Sequence, residues 1–162
     1  TSGTKSAERH VALVRELLGA YVARGVLREF EEHTARNDRT EFRFTWLLDR
    51  RFVLVFEPGE AQLTLRDLLP GVPANSPIQT AVAAFVEGAA SKSRPTHRRI
   101  DPAKATLALT HSRSSLSLVL RVKRSQYAYA VPALLNFCNE LFGHLDMYHI
   151  QYLWEHLGVP EE

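Results

Sequence analysis

The histidines His144, His149 and His156 lie closest together in the sequence, and a zinc hydrolase would want two of them at i and i+4 on one helix. Their spacings of five and seven point them away from a common face, so they read as packed or solvent-facing side chains. Cys138, the one cysteine, falls among Leu134, Leu135 and Leu141 in a helical apolar stripe. A thiol there behaves as a small hydrophobe, not a nucleophile. Ser112, Ser114 and Ser115 beside His111 have the composition of a hairpin turn, and the Gly-x-Ser-x-Gly elbow of a serine hydrolase does not occur. Neither glycine pattern that cradles phosphate is present. Glu29, Glu31 and Glu32 fall on both sides of one extended run, and Glu57 and Glu60 flank a Pro-Gly turn, so no two acids pair for acid–base work. The expectation is a non-enzymatic protein with no catalytic residues, no metal ligands and no cofactor.

Charge is the other source of chemistry. The net charge of +2 hides a segregation: residues 91–124 hold nine Lys or Arg against Asp101 alone, while residues 125–162 hold five acids and no Lys or Arg. A basic block of this kind can meet phosphate or an acidic partner, or be neutralised within the fold or across a dimer. The candidate partner-binding residues are Arg94, Arg98, Arg99, Arg121 and Lys123. With Tyr127 and Tyr129 nearby, the block supports a second reading as a direct single-stranded nucleic-acid binder. Such binders stack bases on aromatic platforms, and here the strongest aromatics, Phe42, Phe44 and Trp46, alternate like core.

These residues must be positioned by a sheet with one apolar face. Phe42, Phe44, Trp46 and Leu48 alternate, and Phe52, Leu54 and Phe56 follow. A three-residue loop Asp49-Arg50-Arg51 would pair Leu48 with Phe52, Trp46 with Leu54 and Phe44 with Phe56, keeping all seven on one face. Val26 to Ala35 reads as a strand with neither face cleanly apolar, at an edge or partly helical, before a turn at Asn37-Asp38. A short strand around Leu63 and Leu65 follows the turn Glu57 to Glu60. Near the C-terminal half, Leu107 and Leu109 face Leu120 and Leu118 across a loop from Ser112 to Ser115.

Helices surround this sheet. Val11, Val14, Leu17, Leu18, Tyr21 and Val22 make a stripe from Ala7, with Ser6 as cap and Gly25 as stop. Ser76-Pro77 opens a second helix after the Pro70 to Pro77 linker. Its side chains Val82, Phe85 and Val86 exceed what one buried stripe needs, which makes them dimer-interface candidates together with the sheet edge they border. A third helix is expected from about Val131, with Pro132 in its first turn. A fourth, capped by Asp146, would turn Met147, Ile150, Leu153, Trp154 and Leu157 inward and stop at Gly158 and Pro160.

The order α-βββ(β)-α-ββ-α-α implies an α+β fold with a mostly antiparallel sheet. At 162 residues the chain suits one domain, taken as residues 7–158 behind a flexible end at residues 1–6. No apolar run is long enough for a membrane span, so no membrane partner is expected, and a lone cysteine fits a cytoplasmic protein.

The early amphipathic helix, Trp46 with Phe52-Val53-Leu54-Val55-Phe56, and Leu116-Ser117-Leu118-Val119-Leu120 leading to the helix from Leu134 to Phe142 resemble the YbjN-domain family, whose fold is similar to that of type III secretion chaperones. The resemblance covers Ala7 to Phe142. It implies a homodimeric chaperone or adaptor that binds a protein client, linked to stress responses. A DNA-maintenance protein, such as a single-stranded-DNA-binding one, is the kind of client it suggests.

Overall fold

The computed structural model describes residues 2–34, 39–91 and 99–157. The turn at Asn37-Asp38, the loop residues Arg94 and Arg98, and the stop at Gly158 and Pro160 lie outside them. Six strands form one antiparallel sheet: β1 (Arg28–Thr34), β2 (Thr40–Thr45), β3 (Arg51–Glu57), β4 (Gln62–Pro70), β5 (Ala105–Ser112) and β6 (Ser115–Val122). Their spatial order is β1-β2-β3-β4-β6-β5, which leaves β1 and β5 at the edges. Four helices complete the α+β fold: α1 (Ser2–Ala23), α2 (Pro77–Glu87), α3 (Tyr127–Tyr148) and α4 (Ile150–His156). No helix among the described residues is long and apolar enough to cross a membrane.

The alternation of apolar residues decides which face the helices cover. Phe42, Phe44, Phe52, Leu54, Phe56, Leu63, Leu65, Leu116, Leu118 and Leu120 are all buried and form one core with Val14 and Leu18 of α1 and Leu134, Cys138, Leu141 and Leu145 of α3. The other face alternates Glu41, Arg43, Val53, Val55, Thr64, Arg66, Val119 and Arg121 along the same registers.

The first hairpin differs from expectation by an even shift. Phe44 pairs with Phe52 and Phe42 with Leu54, and the loop is Leu47-Leu48-Asp49, closed by the Trp46 N–H donating to the Arg50 carbonyl at 2.9 Å. An even shift keeps every side chain on its face. The loop is still three residues, but Leu48 leaves the core, 41% exposed, and takes a left-handed conformation at φ 55°. That costs a branched residue about 1–2 kcal/mol. It is offset by a stack of Phe44 on Phe52 at 6.3 Å and an edge contact of Trp46 on Phe52 at 5.3 Å.

Three helix boundaries also differ. α1 begins at Ser2, not behind a cap at Ser6. It ends as expected at Gly25, where φ is +76°. There the Val26 N–H reaches Tyr21 O at 2.9 Å and the Gly25 N–H reaches Val22 O at 3.0 Å, the paired bonds of a Schellman stop. α3 starts at Tyr127, a turn earlier than expected, so Pro132 lies inside it. α3 also runs through Asp146, which is no cap. The chain breaks only at His149 (φ −140°, ψ 41°), and this phase leaves Met147 72% exposed instead of inward. The Ser76 cap holds: its hydroxyl accepts from the Gln79 N–H at 3.3 Å ahead of Pro77.

Candidate functional site

The two sheet edges are built from different residues. β1 carries Arg28, Glu29, Glu31 and Glu32 in seven positions, and its register with β2 is broken by a bulge between Arg28 and Glu31, with Glu29 at φ 52°. Charge and bulging are the devices that keep an edge from pairing with other chains. β5 has neither. Its eight residues, Ala105 to Ser112, include no Lys, Arg, Asp, Glu or Pro, and they pair with β6 without a register shift from Ala105 opposite Val122 to Ser112 opposite Ser115. Leu107 faces Leu120 and Leu109 faces Leu118, as the sequence predicts. Arg113 and Ser114, at φ 52° and 58°, close the hairpin in the doubly left-handed turn that matches strand twist.

The backbone groups β5 turns outward follow from one bond. Lys123 N–H donates to Lys104 O at 2.8 Å, and hydrogen-bonded pairs alternate along an antiparallel ladder. Lys104, Thr106, Ala108, Thr110 and Ser112 therefore bond to β6, while Leu107, Leu109 and His111 point their N–H and C=O groups away from it. Among the described residues, no turn, loop or cap bond reaches those three. Ala105 differs, because its N–H already donates to Asp101 O at 3.0 Å. The side chains of Leu107 and Leu109 are half-buried, and Thr106, Ala108 and Thr110 alternate with them as exposed residues. The His111 ring is tied back, its Nε2–H donating to the Val72 carbonyl at 2.7 Å.

At the start of this edge the structure gathers part of the basic block. Lys123 Nζ donates to Pro102 O at 2.7 Å, and Lys104 Nζ sits 4.7 Å from the centre of the Tyr129 ring. The Tyr129 hydroxyl donates to Arg99 O at 3.1 Å and accepts from the Asp101 N–H at 2.8 Å. Tyr129 is thus a strut under the 99–104 segment, not a free platform for a base. Arg121 stands apart on the open sheet face opposite Gln62. Beside Tyr129, a groove of about 520 Å³ runs along α3 past Ile100, Pro132, Ala133 and Asn136.

Two of the three dimer-interface candidates on α2 are already used by the fold. Val82 and Val86 are 1% and 7% exposed and belong to the chain's own core. Phe85 is half-buried, its ring 5.3 Å from Phe137 and 5.1 Å from His144. The sequence shows a wide apolar stripe but not how much of it the third helix covers. Among the described residues, the sheet edge that α2 borders is the part left unpaired. Its signal, eight successive residues without charge or proline, was present in the sequence.

The groups considered for chemistry sit as packing. Cys138 is fully buried, and that burial pushes its thiol pKa far up. His144 packs against Phe85 and Tyr148, with His149 at 6.1 Å, and no three potential metal ligands cluster among the described residues. Compared with family models, with curated proteins and with solved structures, the chain matches none.

Proposed function

We propose that this protein is a non-enzymatic, protein-binding chaperone or adaptor that acts as a homodimer. The observation that carries the reading is the asymmetry of the sheet edges: β1 is charged and bulged, while β5 offers a straight, uncharged run of backbone donors and acceptors. An edge left in that state is a template for main-chain pairing with another polypeptide. The resemblance to YbjN-domain proteins supports the same reading, as does the packing of Cys138 and His144 into the fold. A stress-response or DNA-maintenance protein is the client class this resemblance suggests.

The test has two arms. Sedimentation velocity measures the oligomeric state, and a dimer is expected; a monomer at all concentrations overturns the homodimer. Immobilised protein is then exposed to cell lysate at low and high salt, with nuclease treatment in parallel. Retention of a discrete protein despite nuclease supports the adaptor reading.

The second reading, direct binding of single-stranded nucleic acid, is favoured by the convergence of the Lys104 and Lys123 side chains on the 99–104 segment. Its affinity for labelled oligonucleotides would fall steeply with salt as counterions are released. Absence of binding at low salt removes it.

A further inference from the structure

We infer that β5 pairs with β5 of a second copy of this chain, antiparallel about a two-fold axis, with Leu109 opposite its own counterpart. The inference rests on the homodimer reading above and names the surface and register that make the dimer.

Backbone valence sets the register. Leu107, Leu109 and His111 turn both N–H and C=O outward, so pairing Leu109 with Leu109 sets Leu107 of each copy opposite His111 of the other. All three free residues are then used, and three such pairs exchange about six hydrogen bonds. The two neighbouring two-fold registers would pair His111 with Ala105, whose N–H is already committed to Asp101, or Leu107 with Arg113 in the hairpin turn. Each leaves donors unmatched.

Charge selects the occupant. A two-fold antiparallel pairing sets a strand against its own sequence, so a strand dominated by one sign of charge meets like charge across the seam. β5 carries no Lys, Arg, Asp or Glu, whereas β1 paired with itself would set glutamate against glutamate. Pairing also covers the half-exposed flanks of Leu107 and Leu109. The flanking charges lie at the strand ends, where Lys104 of one copy approaches Arg113 of the other. That repulsion is screened by salt, so self-association tightens as salt rises, opposite to nucleic-acid binding. One strand with its neighbours covers less than the roughly 800 Å² per partner of a standard interface, so the association is of the weak, concentration-dependent kind.

The test uses the full chain carrying Leu109→Cys or Leu107→Cys under mild oxidation, with folding checked by thermal melting. Native Cys138 stays silent because it is buried. In the inferred register the two Leu109 Cα atoms lie about 5.5 Å apart, within disulfide reach. The two Leu107 Cα atoms lie four residues apart along the strands, about 14 Å. The Leu109→Cys protein should therefore cross-link as a covalent dimer and the Leu107→Cys protein should not. Sedimentation of the unaltered chain should give a dimer that strengthens between about 0.05 and 0.5 M salt. A dimer in which the Leu107→Cys protein cross-links as fast, or the Leu109→Cys protein does not, overturns the pairing and leaves the homodimer standing. A dimer weakened by salt also overturns it. A monomer up to about 100 µM overturns both.

Discussion

Gly71 lies directly against the His156 imidazole: a Cβ at position 71 would stand 2.7 Å from the ring's Cε1. The contact joins two distant parts of the chain, the corner after β4 and the last helix, and Tyr152 fastens the same corner by donating its hydroxyl to Pro70 O. Gly71 is at φ +67°, so a side chain there meets both a strained backbone and a displaced ring. We expect Gly71→Ala to cost about 1–3 kcal/mol. Adding His156→Ala should recover the steric share and leave the backbone share. Chemical denaturation of the single and double variants measures this; additive losses would show that the two residues are not coupled.

Pro132 stands in the second turn of α3, where it cannot donate to the Ala128 carbonyl four residues back and its ring crowds that group. Its half-buried position beside the α3 groove leaves room for alanine. Pro132→Ala restores the missing bond, offset in part by the freedom alanine adds to the unfolded chain. The expected net is a gain of about 1–2 kcal/mol, seen as a higher Tm. A loss would mean that the ring's packing matters more than the helix bond.

Cys138 and Tyr152 predict the alkaline limit of stability. Burial raises both pKa values, that of Tyr152 against an opposing effect of Arg50. The folded protein then keeps protons that the unfolded chain releases above its ordinary thiol and phenol pKa values. The unfolded state binds fewer protons there, so stability is full below about pH 8.5 and falls as pH rises beyond it. Cys138→Ala should flatten the first part of that decline, at a cost of about 1 kcal/mol at neutral pH from the lost sulfur. In the unaltered chain, a disulfide thiol reagent should react with Cys138 only as unfolding exposes it. Rapid labelling of folded protein at pH 8 would contradict the burial.

The parts of the fold legible in the sequence are those where only one arrangement satisfies the pattern. Leu107 and Leu109 could meet Leu120 and Leu118 in one register because a short polar turn separates two short alternating runs. The first hairpin was ambiguous, since Leu48 extends the alternation of Phe42, Phe44 and Trp46 by one step. What excludes it is aromatic stacking of Phe44 on Phe52, a tertiary preference that alternation does not encode. Pro132 misled in a similar way: it marks a first turn by propensity, but Tyr127 and Ala130 are buried, and their burial carries the helix one turn further back. The candidate edge was legible as composition, but its position at the end of the sheet required the strand order.

Glu41 shows how the open sheet face is held together. Arg43 and Arg66 flank Val53 on neighbouring strands, and both reach the Glu41 carboxylate, Arg43 Nη2 at 2.9 Å from Oε2 and Arg66 Nη2 at 3.1 Å from Oε1. The Glu41 side chain is only 14% exposed. The Arg43 hydrogen bond, helped by the charge of both arginines, holds its pKa below the usual carboxylate range. A lowered folded pKa contributes stability that is present above the unfolded value and is lost as pH falls through the folded one. Glu41→Gln keeps the shape and one acceptor but removes the charge that two guanidiniums share, at an expected cost of about 1–2 kcal/mol at pH 7. Because protonation makes the native carboxyl resemble the amide, the stability curves of the two proteins should converge as the pH drops below 4. Curves that stay parallel into acid would assign the loss to amide packing instead, and the Arg43–Glu41–Arg66 bridge would then contribute shape to the face but no charge-dependent stability.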